Sequence, residues 1–467
     1  MLIDFSFSNH KSYRDSQQFS MELAHDSDDA QHSWPVRGIT TVSAIYGANA
    51  SGKSTFLDAL MFIPRLLDRG LDLRRRNTGT RRSPFLLDSV SSQEPSEYLY
   101  TFIASDRNRY LYEVSLDDSA ILYESLRVYT SGNYTAKLFE RELDSDGVDR
   151  ISYGRRFVGQ KRMLESQLRG DRLLLGIGGS SGAEPLIPAF DELTSMDLYV
   201  ASGFAGELRR IASDLQSSPA RAAALSSLLA SSNLGIKSIK ADRHLREVLE
   251  RCVNDPECEE AALYRNIIRG LSYITMPHLP EDQRDEDANE FARSLLESGG
   301  YPLLFLHVGS DGSEAYFGEG DESRGTQAAL AFLSLALDRL SKPTVTLVDE
   351  IDTSLHPSYV EQLVDLFSDP RTNPHQSQLI FTTHDISLIM RSGADDRPLS
   401  RDQVWISEKE DDGSSTIYPI TSFRGVRKEE NIGRNYLNGV YGGLPNPLLK
   451  ASFVNALYAE GDGNGEG

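Results

Sequence analysis

Positive charge is scarce in this chain: 48 lysines and arginines face 69 aspartates and glutamates, a formal net charge of −21. Such a balance argues against a generally basic surface that coats nucleic acid. There is no run of eighteen apolar residues, so no membrane-spanning helix is expected. The opening Met1-Leu2-Ile3-Asp4-Phe5 has neither a basic n-region nor a long apolar h-region. A secretory leader is therefore not expected, and the cytoplasm is the expected compartment. Cysteine occurs only at Cys252 and Cys258, without histidines at zinc spacing, which reads as reduced thiols and not a metal site or a disulfide staple. Sustained heptads and fixed-period repeats are missing too, excluding a long coiled-coil arm and a solenoid. What remains is a globular composition, 39% hydrophobic and 25% charged over 467 residues, with room for two or three structural units.

Against this background one stretch stands out, Gly47-Ala48-Asn49-Ala50-Ser51-Gly52-Lys53-Ser54. It fits G-x-x-x-x-G-K-[ST], follows the β-like run Thr41 to Tyr46, and precedes a helix-forming segment, Thr55 to Leu67. Glycines let backbone N–H groups curl around phosphate oxygens, and a helix N-terminus adds the positive end of its dipole. The expected nucleotide-binding set is Gly47, Asn49, Ser51, Gly52, Lys53, Ser54 and Thr55. Lys53 would reach the β- and γ-phosphates of ATP and Ser54 would ligate Mg²⁺.

Taken in order, Leu2 to Leu23 alternates like a β-hairpin around a polar turn. Tyr98, Tyr100 and Phe102, then Tyr110, Tyr112 and Val114, then Leu126 and Val128 predict an antiparallel meander. From about Phe157 the pattern turns helical, with segments over 162–168, 202–215, 220–230, 244–252, 259–268 and 281–296. A helical segment over 326–340 and a short strand, Thr344 to Val348, come next. A helix over 357–367 and a strand over 378–382 follow. Alternating apolar strands and helices predict an α/β fold with a mostly parallel sheet. Three parts are expected: 1–156 as the first half of a nucleotide-binding head, 157–300 as a helical insertion, and 301–467 as the second half.

Ligands of such sheets sit at the carboxyl ends of strands. The strand ending in Asp349-Glu350 supplies two carboxylates with separate tasks there. Asp349 would hold Mg²⁺ and Glu350 would orient or deprotonate the attacking water. The next strand ends at Thr383-His384-Asp385, where His384 is placed to contact the γ-phosphate. Lys53 and Asp349 are 296 residues apart, so the nucleotide fold is split around the meander and the insertion. Arg65, Arg69, Arg74, Arg75, Arg76, Arg81 and Arg82 form a local basic stretch, either a solvated loop or a phosphate-backbone contact.

The order of Gly47–Ser54, Glu322-Ser323-Arg324-Gly325-Thr326, Asp349-Glu350-Ile351-Asp352-Thr353-Ser354-Leu355-His356-Pro357 and Thr382-Thr383-His384-Asp385 resembles the ABC-type ATPase heads of the SMC and RecF group. More closely it is similar to the OLD-like, AAA15-type prokaryotic ATPases. Tyr441-Gly442-Gly443-Leu444-Pro445 also looks like that family. The resemblance implies an ABC/SMC-type P-loop ATPase head with an antiparallel β meander and a helical insertion. It also implies a composite site. Ser323 and Gly325 would contact the γ-phosphate bound by another copy, and Asp352 would cross the interface, so at least a head-to-head dimer is expected. Arg324 departs from the small residue usual inside the signature. A contact with adenine from Lys11, Ser12, Tyr13 or Arg14 is suggested by position, and Gln93 is a candidate Q-loop residue. The resemblance extends to ATPase subunits of two-gene anti-phage defence systems (PARIS, Septu and AbiL types), implying a sensor and scaffold that works with a separately encoded, nuclease-like effector. No Toprim module is expected after the head. The alternative is a RecF- or SMC-like repair ATPase that clamps duplex DNA through the arginine stretch.

Overall fold

Period-two aromatic and aliphatic residues build the largest sheet. In a computed structural model that describes residues 1–23, 38–69, 79–132, 134–159, 161–200, 204–254, 301–390, 398–423, 430–445 and 453, β1 (Leu2–Ser8) pairs antiparallel with β2 (Gln17–Ser20) as the expected hairpin. β3 (Val42–Tyr46) leads into the phosphate loop and α1 (Lys53–Arg69). Next come β4 (Ser96–Ile103), β5 (Arg109–Leu116), β6 (Ile121–Ser131), β7 (Tyr134–Leu143) and β8 (Asp149–Tyr153). The seven-stranded sheet runs β2-β1-β4-β5-β6-β7-β8, with antiparallel neighbours throughout. Strands β7 and β8 extend the meander beyond its expected length. Their mixed polar and half-buried residues carry little alternation to read.

One face of that sheet buries Phe5, Phe7, Tyr98, Tyr100, Phe102, Tyr112 and Val114. Helix α1 lies on it. Phe56 meets Phe5 and Phe7 at ring-centroid distances of 6.2 and 6.0 Å, and Phe62 stacks on Tyr98 at 5.1 Å. The helix can do this because Phe56, Leu57, Leu60, Ile63 and Leu67 recur at helical spacing and are all buried. Three short helices follow, α2 (Lys161–Gln167), α3 (Leu174–Ser180) and α4 (Ile187–Thr194). A fully buried pair, Glu124 on β6 and Arg141 on β7, ties α3 to the sheet. The Glu124 carboxylate accepts from the N–H groups of Leu174 and Leu175 at 2.7 and 2.9 Å and from Tyr112 Oη at 2.8 Å. Arg141 reaches Asp149 at 2.7 Å and the carbonyl of Arg172 at 2.6 Å. Each charge is thus neutralised and hydrogen-bonded, the condition under which buried ions are tolerated.

The chain folds as two compact units, Met1–Met196 with Ile386–Gly467, and Asp197–Asp385. The second contains β9 (Asp197–Val200), α5 (Phe204–Ser217), α6 (Pro219–Ser231), β10 (Ile236–Ala241) and α7 (Arg243–Asn254). It continues with β11 (Leu303–Val308), β12 (Glu314–Gly318), α8 (Arg324–Leu340), β13 (Val345–Asp349), α9 (Pro357–Ser368) and β14 (Gln378–Thr382). Strands β9 and β10 fall in the gaps between the expected helical segments 162–168, 202–215, 220–230 and 244–252; four to six residues of strand are too short to leave a periodic signature. Strand β13 lies between β14 and β9 and is parallel to both. Its residues Val345 to Val348 are buried, as expected of a strand covered on both faces. Strand β11 instead joins an antiparallel sheet, β10-β11-β12. The expected helices over 259–268 and 281–296, and Arg74–Arg76, lie outside the described residues.

The chain then returns to the first unit with β15 (Val404–Lys409), β16 (Ser415–Pro419) and α10 (Ile432–Leu437). Strand β15 runs parallel to β3 with Val404 beside Ala44 and Ile406 beside Tyr46. That register brings Ser407 level with Gly47. For Arg82 neither reading of the basic stretch holds. Arg82 is buried: its guanidinium holds Asp118 at 2.9 Å and donates to the carbonyls of Glu94 and Ser92. It is a structural clamp, unavailable to a phosphate backbone, whereas its neighbour Arg81 is exposed at φ +58°. Among the described residues no helix is long and apolar enough to cross a membrane.

Candidate nucleotide site

The phosphate loop turns on two glycines. Gly47 has φ +152° and Gly52 has φ +115°, conformations that side-chain-bearing residues rarely adopt. Space enforces the same choice: a Cβ on Gly47 would lie 2.2 Å from the Ser407 carbonyl oxygen, and one on Gly52 would lie 2.8 Å from Ser415 Oγ. Helix α1 begins at Lys53, so the loop ends at a helix N-terminus, the positive end of the helix dipole. Lys53 Nζ donates to the carbonyls of Gly47 at 2.9 Å and Ala48 at 3.0 Å. Ser54 is exposed and Thr55 half-buried at the first turn, while Ser51 is buried and Asn49 exposed.

Residues not singled out by motif hold the loop from behind. Ser407 Oγ donates to the Ser51 carbonyl at 3.0 Å. Tyr13 Oη lies 3.0 Å from Ser407 Oγ and 3.3 Å from the Gly52 carbonyl. Tyr13 is fully buried, and that burial raises its phenol above the ordinary range, so it stays a neutral donor. The suggested contact between Tyr13 and adenine is therefore replaced by a role under the loop. Lys11 pairs with Asp58 on α1, and Ser12 bonds Ser415 Oγ at 2.9 Å. Gln93 is exposed in a turn between Val90 and Ser96.

The Tyr441-Gly442-Gly443 segment closes on the same loop. Glu408 accepts from the Gly443 N–H at 3.1 Å and from Tyr418 Oη at 2.6 Å, and Tyr418 also donates to the Tyr441 carbonyl at 3.0 Å. Gly443 sits at φ +68°, and a Cβ there would meet Ile406 Cγ2 at 2.6 Å and Gly47 Cα at 3.6 Å. Tyr436 packs on Tyr46 at 5.7 Å between ring centroids. Burial pushes its phenol up to about 12, with the Gly47 backbone pulling the other way.

In the second unit, β13 and β14 end side by side and place Asp349-Glu350 next to Thr382-Thr383-His384. Thr382 Oγ1 donates to Asp349 Oδ1 at 2.6 Å and accepts from the Glu350 N–H at 2.7 Å. Glu350 has φ +55°, a strained conformation for a residue with a side chain, of the kind that gathers at functional sites. Its carboxylate is exposed, and Thr353 Oγ1 donates to it at 3.3 Å. Asp352 lies on the His384 N–H, 3.4 Å from each carboxylate oxygen, in its own chain. His384 is exposed and Asp349 half-buried. The two adjacent carboxylates end the strand together, and that of Glu350 is open to water.

Ser323 caps α8, accepting from the Thr326 N–H at 3.1 Å. A cap of this kind satisfies one free donor and marks the helix end as an anion-favouring surface. Gly325 sits against the Ser354 carbonyl, 3.0 Å from where its Cβ would be. Arg324 is exposed at the first helical position, and Glu322 bonds His307 Nε2 at 2.6 Å.

A family model described as "AAA domain, putative AbiEii toxin, Type IV TA system" (AAA_21) matches residues 42–167 and 222–391, which take in the phosphate loop, the signature segment and both strand ends. The chain belongs to this family. It is an ATP-binding, ATP-hydrolysing enzyme with a P-loop ATPase head of α/β class. None of the curated proteins matches it. Among solved structures, the recombination mediator RecF with ATP is similar at 11% identity over 82% of this chain and 93% of that one, with a TM-score of 0.26. The same mediator with "ATPrS" gives 12%, 89%, 98% and 0.26. UvrA2 from Deinococcus radiodurans gives 17% identity over 44% of this chain and 22% of that one, with a TM-score of 0.18.

Proposed function

We propose that this ATPase is the nucleotide-driven sensor and scaffold of a prokaryotic anti-phage defence system, acting with a separate effector protein. The family's description, which includes a toxin of a toxin–antitoxin system, supports a role of this kind. The observation that carries the catalytic reading is the Glu350 backbone at φ +55°, held there by the Thr382 hydroxyl. A strained carboxylate beside a second one at a strand end suits a base that must meet water at one fixed point. Lys53 binds the β- and γ-phosphates, Glu350 activates water and His384 reads the γ-phosphate. Ser54 and Asp349 offer the hydroxyl and carboxylate oxygens that suit Mg²⁺, which would offset charge on the phosphates. A second copy contributes Ser323, Gly325 and Asp352, so hydrolysis needs at least a dimer.

The test uses the full chain. Glu350→Gln should keep ATP and slow turnover by about two decades or more, because the water loses its base. Lys53→Ala should lose ATP binding, and adding EDTA should stop hydrolysis. Mixing inactive Lys53→Ala with inactive Gly325→Trp should restore partial turnover, since half of the hybrid sites then carry an intact half from each copy. Turnover by Glu350→Gln at the wild-type rate defeats the base assignment, and failure of the mixture to recover defeats the shared site. Salt-dependent binding of duplex DNA by the isolated protein, lost on changing Arg74–Arg76, would favour a RecF-like clamp over the defence role.

A further inference from the structure

Four carbonyl oxygens of the phosphate loop are occupied by donors within the first unit. Gly47 and Ala48 accept from Lys53 Nζ, Ser51 accepts from Ser407 Oγ, and Gly52 accepts from Tyr13 Oη and the Phe56 N–H. A peptide unit has one carbonyl and one N–H on opposite edges, so pinning the first fixes the second. A carbonyl facing a triphosphate repels it, whereas an N–H attracts it. Lys53 reaches its two carbonyls from a long four-carbon stem, whereas the two hydroxyls sit on short or rigid side chains in the core: Tyr13, Ser51 and Ser407 are buried to within 1% of complete.

We propose that Tyr13 and Ser407 are positioning residues of the ATP site, two linked hydroxyls that hold the Ser51 and Gly52 carbonyls back so that the loop presents its N–H edge to phosphate. The proposal rests on the ATP-binding reading of the loop. Their order follows from proton count. Ser407 has one hydroxyl proton and gives it to the Ser51 carbonyl, so its oxygen accepts from Tyr13, whose own proton is shared between Ser407 and the Gly52 carbonyl. The pair therefore acts as one unit, and the strand register that places Ser407 beside Gly47 is what builds it. Neither hydroxyl touches nucleotide; both act through the loop.

The experiment measures ATP binding by calorimetry and steady-state hydrolysis, in magnesium, on the full-length protein and its Tyr13→Phe, Ser407→Ala, Ser407→Thr and doubly substituted (Tyr13→Phe with Ser407→Ala) variants. Lys53→Ala serves as the reference for lost binding. Each single hydroxyl deletion should raise the Kd and KM for ATP about fivefold to tenfold, with kcat within about threefold of wild type. The double variant should lose less than the product of the two single effects, because the hydroxyls bond each other. Ser407→Thr, which retains the hydroxyl, should restore wild-type affinity. Unchanged Kd and KM in Tyr13→Phe and Ser407→Ala, with or without a fall in Tm, overturns the proposal while leaving ATP binding intact, provided Lys53→Ala still abolishes it. Multiplicative single effects overturn the linkage. If wild-type protein binds no ATP, the ATP reading and the proposal fall together.

Discussion

Thr382→Val removes one hydroxyl and keeps the side-chain shape, which makes it a sharp test of how the carboxylates proposed for catalysis are aimed. Thr382 is completely buried at the end of β14. Its hydroxyl donates to Asp349 at 2.6 Å and accepts from the Glu350 N–H at 2.7 Å. Losing the bond to an ionised carboxylate costs roughly 1.5–3 kcal/mol, and an orphaned amide adds about 1 kcal/mol where water reaches it poorly. Part of this is recovered, because Glu350 is freed from a left-handed conformation that itself costs about 1–2 kcal/mol. The net loss of stability should therefore be about 1–3 kcal/mol. The functional effect should be larger. A backbone relaxing to negative φ swings the Glu350 side chain by more than an ångström, and displacement on that scale costs about a hundredfold in rate. Single-turnover hydrolysis at saturating ATP should fall by about two decades while ATP affinity measured by calorimetry changes little, and Thr382→Ser should retain most of the wild-type rate. A Thr382→Val rate within threefold of wild type would refute the claim that this hydroxyl aims Glu350.

Other outcomes follow from the same physical accounting. Arg141→Ala leaves Glu124 charged and fully buried without its counter-ion, so thermal or denaturant unfolding should show a loss of about 3–5 kcal/mol. Replacing both (Glu124→Gln with Arg141→Met) should cost less than the single change. Burial holds the His10 imidazole below its ordinary pKa, although the Asp58 carboxylate pulls it up. The unfolded chain therefore takes up this proton more readily than the native one. The corresponding stability is intact above about pH 6.5 and is lost as pH falls through the native value. Denaturation curves between pH 7 and 5 should show this slope, and His10→Gln should reduce it. Gly443→Ala places a methyl 2.6 Å from Ile406 Cγ2 at φ +68°, against Gly47. It should weaken ATP binding measurably while leaving the meander's hydrogen-exchange protection unchanged.

Local chemistry was readable without coordinates. The glycines of Gly47–Ser54 are demanded by backbone conformations that only their sequence spacing could announce. The apolar run into Asp349-Glu350 marks a buried strand wherever it occurs. Alternation at Tyr98, Tyr100 and Phe102 likewise declared a half-buried strand, and the helix on which Phe56 and Leu60 lie had a clear period. Strands β7, β9 and β10 were missed because four to ten residues of mixed polarity leave no period to detect. Arg82 reads as surface charge in a basic stretch, yet the fold buries it, since the Ser92 and Glu94 carbonyls and the Asp118 carboxylate close around its guanidinium.

Sequence alone therefore determined the phosphate-binding loop, the carboxylate pair and the α/β class, because each depends on residues adjacent or periodic along the chain. Tertiary structure decided what supports them. Thr382 reaches Asp349 only through the pairing of β14 with β13, and Ser407 reaches the phosphate loop only through the register of β15 on β3. Strand pairing is a relation between distant segments, with one residue of slip enough to reverse every side chain, and no local pattern encodes it.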